Sequence, residues 1–176
     1  MLATDSPPVR KCTNLRLAVH SASSAQRLAT EYPAATVMQA DLAKAEDAQR
    51  ILSGVTTVLY IGPSFHIHET QLGYTMVDAA CRESQVGNLK HFVYSSVLHP
   101  RIRKLLNHDC KRYVEEYLVE SGLNYTIVQP KSYPGSVSGG NAVAIRKSRL
   151  PCSVQPAGYI LIHGFARSGG SIRNHH

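Results

Sequence analysis

The chain alternates between two hydrophobic patterns. Short runs rich in aliphatic and β-branched residues alternate with longer segments in which apolar residues recur every three or four positions. The first pattern predicts β-strands and the second predicts amphipathic helices. The predicted strands are residues 14–20, 36–40, 56–61, 91–97 and 125–128. The predicted helices are residues 23–32, 44–53, 68–84 and 107–121.

Residues at the helix ends support these elements. A Ser-Ser-Ala-Gln run that begins at Ser23 predicts a capping box, and Pro33 ends the same helix. Gly54 follows the second helix and Gly122 the fourth, where a glycine C-cap is expected. Regular alternation of strand and helix is typical of right-handed βαβ crossovers, so we expect an α/β fold with a parallel sheet.

The regular alternation stops after Pro130. Residues 131–176 are rich in glycine, serine and proline, and they contain six Lys or Arg residues and no acidic residue. They therefore carry +6 of the net charge of +7. We predict three regions: an irregular lead-in at 1–13, a folded domain at 14–130 and an irregular basic tail at 131–176. A basic tail without aromatic interleaving does not predict direct nucleic-acid binding.

Composition narrows the class of protein. No apolar run is long enough to span a membrane, and residues 1–12 lack the apolar stretch of a signal peptide. The four cysteines lack metal-ligand spacing, so we expect reduced thiols rather than a disulfide framework. These features predict a cytoplasmic protein, with the nucleus as the alternative location.

Five short motifs carry a resemblance to a known family. They are, in order, residues 39–42 (QADL), 62–64 (GPS), 91–96 (HFVYSS), 108–118 (HDCKRYVEEYL) and 122–130 (GLNYTIVQP). Each motif is weak by itself, but their order and spacing over residues 14–130 are specific. On these motifs the chain resembles the NmrA-like family, an atypical branch of the short-chain dehydrogenases/reductases.

The resemblance implies a Rossmann-like, doubly wound sheet that binds NAD or NADP across the carboxyl ends of its strands. It also implies the cofactor-binding positions. These are Asp41 and Leu42 by the adenine, Gly62 and Pro63 by the nicotinamide-side ribose, Ser95 and Ser96 facing the nicotinamide, and Lys111 at the ribose hydroxyls. His20 follows the first strand, where many relatives place an arginine that reads the 2′-phosphate, so the choice between NAD and NADP stays open.

The catalytic residues are less clear from the sequence. A standard short-chain dehydrogenase has a tyrosine four residues before its lysine, but Asn107 occupies that position before Lys111. Lys111 and His108 are therefore the catalytic candidates, with His108 as a proton donor; a solvated helix lysine and an ordinary helix-start histidine are the alternatives. His66 and His68 have no recognisable third ligand, so we expect no metal site.

Two departures from the family pattern affect the predicted sheet. Residues 1–13 contain no glycine-rich βα unit, which in the family supplies the central strand and the pyrophosphate site, so we expect an incomplete sheet. The apolar segment 158–164 could fill that central place, with Gly164 and Gly170 in a glycine-rich loop. We favour an irregular tail instead, because Arg167 crowds that loop and few residues follow Gly170.

The resemblance implies hydride transfer on a small organic substrate, such as a specialised metabolite, as the activity of full-length relatives. One alternative is a non-catalytic sensor that binds the dinucleotide and reports its redox state to a transcription factor. Another is an inactive truncated product, because the family's substrate-binding region is not recognisable after residue 130. Catalytic turnover would distinguish the enzyme from the sensor.

Overall fold

The protein is described by a computed structural model, which defines residues 14–101, 104–130, 143–147 and 159–163, the last two ranges as backbone strands. The strands are β1 (Leu15–Val19), β2 (Thr36–Gln39), β3 (Thr57–Ile61), β4 (His91–Ser95), β5 (Tyr125–Pro130), β6 (Val143–Lys147) and β7 (Tyr159–His163). The helices are α1 (Ala22–Glu31), α2 (Ala45–Leu52), α3 (Glu69–Val86) and α4 (Leu106–Glu120).

Every element predicted within residues 14–130 is confirmed, with its ends within two residues of the prediction. The cap of α1 was misplaced, because Ser21, not Ser23, is the N-cap and its side chain accepts the Ser24 N–H. Gly54 and Gly122 do follow helices, and both adopt positive φ angles, of 72° and 75°. Glycine is favoured in this left-handed conformation because it has no Cβ to clash with the backbone.

The strands form one sheet in the order β2-β1-β7-β3-β4-β5-β6. All neighbouring strands are parallel except the β5–β6 pair. The chain moves outward in one direction from β1 to β2 and in the other from β3 to β5, so right-handed crossovers place α1 on one face and α3 and α4 on the other. The predicted doubly wound parallel sheet is confirmed.

The centre of the sheet differs from our expectation. β7 lies between β1 and β3 and is parallel to both, with Ile160 opposite Arg16 on one side and Val58 on the other. The interpretation that we considered less favourable, a strand from segment 158–164 in the central place, is thus the one observed. Two strands also interrupt the tail that we expected to be irregular, while the glycine-rich loop at 164–170 and the lead-in at 1–13 lie outside the described residues.

The core lies between the sheet and the layer of α2, α3 and α4. Buried residues of β3 and β4 alternate with half-exposed ones, so that Val58, Tyr60, Phe92 and Tyr94 point into this layer. On the opposite face α1 contributes no buried residue, although we expected an inward stripe on it. No helix among the described residues is long and apolar enough to cross a bilayer.

Helices α3 and α4 approach closely at Gly73. A methyl group added at Gly73 would overlap the side chain of Val114, which is itself buried. The contact sets the separation of the two helices. Residues of α3 contact residues of α4 near the carboxyl edge of the sheet. Gly73 is therefore needed for its small volume rather than for backbone freedom.

The central position of β7 predicts a large effect of proline. Both neighbours of β7 are strands, so each of its backbone N–H groups faces a partner, and Ile160→Pro would remove one ladder hydrogen bond in mid-sheet. We expect the free energy of unfolding to fall by about 3 kcal/mol or more, measured by urea denaturation. Ile160→Val keeps the backbone N–H and is the control, so it should cost much less; equal effects of the two variants would contradict the central placement.

The contact at Gly73 predicts a packing cost. Gly73→Ala should lower the free energy of unfolding by about 1–3 kcal/mol, because the added methyl group overpacks the helix interface. The measurement is a double-mutant cycle with Val114→Ala, in which the double variant should be more stable than the sum of the two single effects predicts. Additive effects would show that the two residues do not limit the helix approach.

Candidate functional site

The predicted cofactor-binding residues lie along one edge of the sheet. Asp41 follows β2, Gly62 follows β3, and Ser96 follows β4. Since these strands are parallel, their carboxyl ends meet at the same edge. The topology therefore brings together residues that the sequence places in three separate motifs.

At the β2 end, Asp41 has a structural task of its own. Its Oδ1 accepts the Ala43 N–H at 3.0 Å, and its own N–H donates to Asp47 Oδ2 at 2.8 Å. These bonds shape the turn into α2, and Lys44 rather than Asp41 is the N-cap of that helix. The neighbouring Leu42 packs partly buried against the core. Asp41 is half-buried, and its place by the adenine stays a prediction, as does that of Leu42.

At the β3 end, Gly62 lies over a buried phenol. A Cβ at Gly62 would lie 3.1 Å from the Tyr60 hydroxyl, so a larger residue would press on that ring. Tyr60 stacks on Tyr94 with ring centroids 5.8 Å apart. Burial, followed by the negative charge of Glu69, raises the pKa of Tyr60 far above its ordinary value. The phenol therefore stays protonated, and its hydroxyl has no hydrogen-bond partner among the described residues.

At the β4 end the two serines differ in environment. Ser95 is half-buried at the last position of the strand, whereas Ser96 is fully buried. The Ser96 N–H donates to the Val128 carbonyl oxygen at 2.8 Å, which anchors its backbone to β5. Its side-chain Oγ has no hydrogen-bond partner within the described part of the chain.

Lys111 is buried and paired. It lies in the second turn of α4 with 0% of its surface exposed, and its Nζ is 2.7 Å from Oε1 of Glu69, which is 3% exposed. Moving two charges out of water costs several kcal/mol per ion, and the mutual attraction offsets this only with close geometry and further hydrogen bonds. The alternative of a solvated helix lysine is therefore wrong, because Lys111 is buried and paired with Glu69.

Glu69 also makes a second contact. Its Oε2 accepts the Phe65 N–H at 3.1 Å, and Phe65 has a φ angle of 63°. A side chain in this left-handed region costs roughly 1–2 kcal/mol. The hydrogen bond helps to hold the β3–α3 loop, residues 62–68, in that conformation.

The histidine candidates lie at the surface of the site. His108 is half-buried in the first turn of α4, and its Nδ1 donates to the His99 carbonyl oxygen at 3.3 Å. His66 and His68 are exposed and touch each other, with His66 Nδ1 accepting the His68 N–H. No group of three metal-ligating side chains occurs among the described residues. His20 is exposed after β1.

A cavity of about 550 Å³ opens beside α4. Its lining includes the turn around His99, the outer face of α4 at Arg112 and Glu116, and Gln129 near the end of β5. None of the predicted cofactor-binding residues lines it. The cavity and those residues thus share an edge of the sheet but have no residue in common.

Sequence reasoning missed Glu69 and Tyr60. Glu69 has the pattern of an ordinary acidic residue in the first turn of a helix, and Tyr60 that of a strand residue in an apolar run. Nothing in the sequence indicates that Glu69 faces Lys111. The buried phenol could have been suspected only from its place two residues before the Gly62-Pro63 motif.

Three buried polar side chains of this region have unused hydrogen-bonding capacity. The hydroxyls of Tyr60 and Ser96 are buried without partners, and Lys111 Nζ has Glu69 as its sole partner among the described residues. Buried polar atoms are nearly always satisfied, so such a group of atoms is typical of a ligand or water site. In the described parts of the chain no glycine-rich turn is available for the pyrophosphate.

The comparisons with solved structures agree with this architecture. NADPH-dependent quinone oxidoreductase QOR2 from Escherichia coli, complexed with NADPH, is 28% identical, with a TM-score of 0.55, and the match covers 63% of this chain and 38% of that one. A Citrobacter sp. triphenylmethane reductase complexed with NADP(H) is 18% identical, with a TM-score of 0.52 and coverage of 64% and 38%. A mutant NmrA is 23% identical, with a TM-score of 0.52 and coverage of 64% and 35%.

The chain therefore spans less than two fifths of the length of these structures. No curated protein matches it. The sequence model of the NmrA-like family matches residues 10–139, a range that contains the predicted domain at 14–130 and all the predicted site residues. By that match and by its doubly wound sheet, this chain belongs to the NmrA-like family.

Proposed function

We propose that this protein is an NAD(P)-dependent reductase that transfers hydride between a dinucleotide and a small organic molecule. The observation that supports this most strongly is the buried Lys111, whose Nζ pairs with Glu69 at the start of α3, the helix that follows the carboxyl end of β3. The family membership and the NADPH or NADP(H) complexes of similar structures agree with it.

The proposed binding edge extends from β2 to β4. Asp41 and Leu42 contact the adenine half, and Gly62 and Pro63 border the nicotinamide-side ribose. Ser95 and Ser96 face the nicotinamide, where the partnerless Ser96 hydroxyl can donate to a carboxamide or accept from it. The cofactor supplies the hydride, while the protein supplies orientation and charge.

Lys111 is proposed to bind the ribose hydroxyls and to assist proton delivery. An ammonium has three donors, and the described residues use one side of it, at Glu69. Because the side chain is fully covered here, contact with a ligand requires that the cover of Lys111 moves. His108, half-buried in the same helix, is the second candidate for the proton donor.

The substrate is proposed to be a small, apolar organic molecule, in keeping with a role in specialised metabolism. The β3–α3 loop presents two exposed apolar side chains next to Gly62, with Phe65 84% exposed and Ile67 89% exposed. Quinone and triphenylmethane dye reduction by the similar structures supports an aromatic acceptor. Those two structures are reductases, and this favours an enzyme over a dinucleotide sensor that acts on a transcription factor.

The first test is binding of NADPH and NADH to the full chain, followed by fluorescence and by thermal melting. A ligand that binds only the folded state adds about 2.7 kcal/mol to the free energy of unfolding when its concentration is 100 times Kd. The melting temperature rises accordingly. With at least one of the two dinucleotides we expect a fluorescence change that saturates and a melting temperature that keeps rising with concentration. A melting temperature that stays constant up to millimolar concentrations of both would overturn the proposal.

The second test removes the buried charges together. Lys111→Met with Glu69→Gln leaves no uncompensated buried ion, so the fold should be retained. We expect the Kd for the preferred dinucleotide to rise about tenfold to 100-fold, because a charge-assisted hydrogen bond of about 1.5–3 kcal/mol is lost. The matched control is Lys104→Met with Glu46→Gln, which makes the same two types of substitution at exposed positions. This control should leave the Kd unchanged.

A further inference from the structure

Glu69 joins two parts of the site through one carboxylate. Its Oε1 lies 2.7 Å from Lys111 Nζ on α4, and its Oε2 accepts the N–H of Phe65 in the β3–α3 loop. The side chain is almost fully buried, so both contacts are shielded from water. One group thus contacts the candidate catalytic lysine and also the loop that borders Gly62.

A simpler explanation is that Glu69 stabilises its own helix. It is the first residue of α3, where a negative charge is favourable. That explanation accounts for neither contact, because the carboxylate reaches the N–H of Phe65, outside α3, and an ammonium on another helix. Glu46 in the first turn of α2 provides the comparison, since it is exposed and acidic at the same kind of position.

The environment of the ion pair is also unlike that of a purely structural one. A buried pair is stable when hydrogen bonds satisfy the remaining donors and acceptors. Here Lys111 Nζ has no further partner among the described residues, and the neighbouring Tyr60 phenol, whose pKa responds to the Glu69 charge, has none either. The pair keeps an ammonium fixed, and the other donors of that ammonium stay without a partner among the described residues.

We propose that Glu69 is a positioning residue with two separable tasks: its charge holds the Lys111 ammonium in place, and its second oxygen holds the β3–α3 loop with Phe65 in the left-handed conformation. Once the cover of Lys111 moves, the lysine donors and the apolar side chains of the loop are thereby presented together to the substrate. This inference rests on the proposed reductase function for its catalytic consequence, but its structural part can be tested without turnover.

The first experiment separates the two tasks in the full chain. Lys111 acetylation by acetic anhydride at neutral pH is quantified by mass spectrometry, and chymotrypsin cleavage after Phe65 is timed under native conditions. Glu69→Gln removes the charge but keeps an oxygen acceptor, so Lys111 labelling should accelerate about tenfold while cleavage changes little. Glu69→Ala removes both, so labelling and cleavage should both accelerate. Glu46→Gln should alter neither.

Two results would overturn the structural part. One is equal labelling of Lys111 in wild type and Glu69→Gln, with both proteins folded by circular dichroism. The other is cleavage after Phe65 that is as slow in Glu69→Ala as in wild type. If Glu69→Gln does not fold, Lys111 labelling is measured in Glu69→Asp instead. Aspartate keeps the charge but has a shorter side chain, so Lys111 labelling should still be faster than in wild type.

The second experiment measures turnover with NADPH and menadione as the probe quinone. Glu69→Gln should lower kcat on the order of 100-fold and raise the Kd for NADPH through misplacement of Lys111, with KM for menadione within about threefold of wild type. Glu69→Asp should recover part of the loss. An unchanged kcat in Glu69→Gln would contradict the positioning role. Absence of turnover in wild type would instead contradict the proposed function. In that case the labelling experiment alone would test whether Glu69 holds Lys111 in place.

Discussion

The fold depends on hydrogen bonding at the centre of its sheet. In a parallel sheet each inner strand presents N–H and C=O groups on both sides, and a buried backbone group without a partner is costly. β7 meets this requirement between β1 and β3, and it is the strand that links the two halves of the sheet. The chain therefore closes its domain with a segment that comes after all the other described elements.

This link has a consequence for the site. Asp41 belongs to the half formed by β1 and β2, whereas Gly62, Ser96 and Lys111 belong to the half that begins at β3. The distance between the adenine end and the nicotinamide end of the proposed binding edge is therefore fixed by a strand that carries no predicted site residue. Stability and the proposed cofactor geometry therefore depend on the same backbone ladder.

Within the second half, the close approach of α3 and α4 accompanies the buried ion pair of Glu69 and Lys111. Gly73 lets the helices approach at Val114, and Glu69 and Lys111 meet one turn closer to the sheet edge. A buried pair tolerates little change in separation, because the Coulomb attraction has to offset a large loss of hydration. The small residue and the ion pair are thus two parts of one packing arrangement, which holds an ammonium beside the ends of β3 and β4.

The sequence determined the local elements, because hydrophobic periodicity, prolines and glycines act over a few residues. The five strands and four helices within residues 14–130, the turns at Gly54 and Gly122, and the positions of the motifs all followed from it. Only the tertiary structure decided that residues 159–163 form the central strand and that Lys111 faces Glu69 rather than solvent. Both depend on pairing between segments far apart in the chain, where the free energy comes from backbone groups and charges that must find partners once water is excluded.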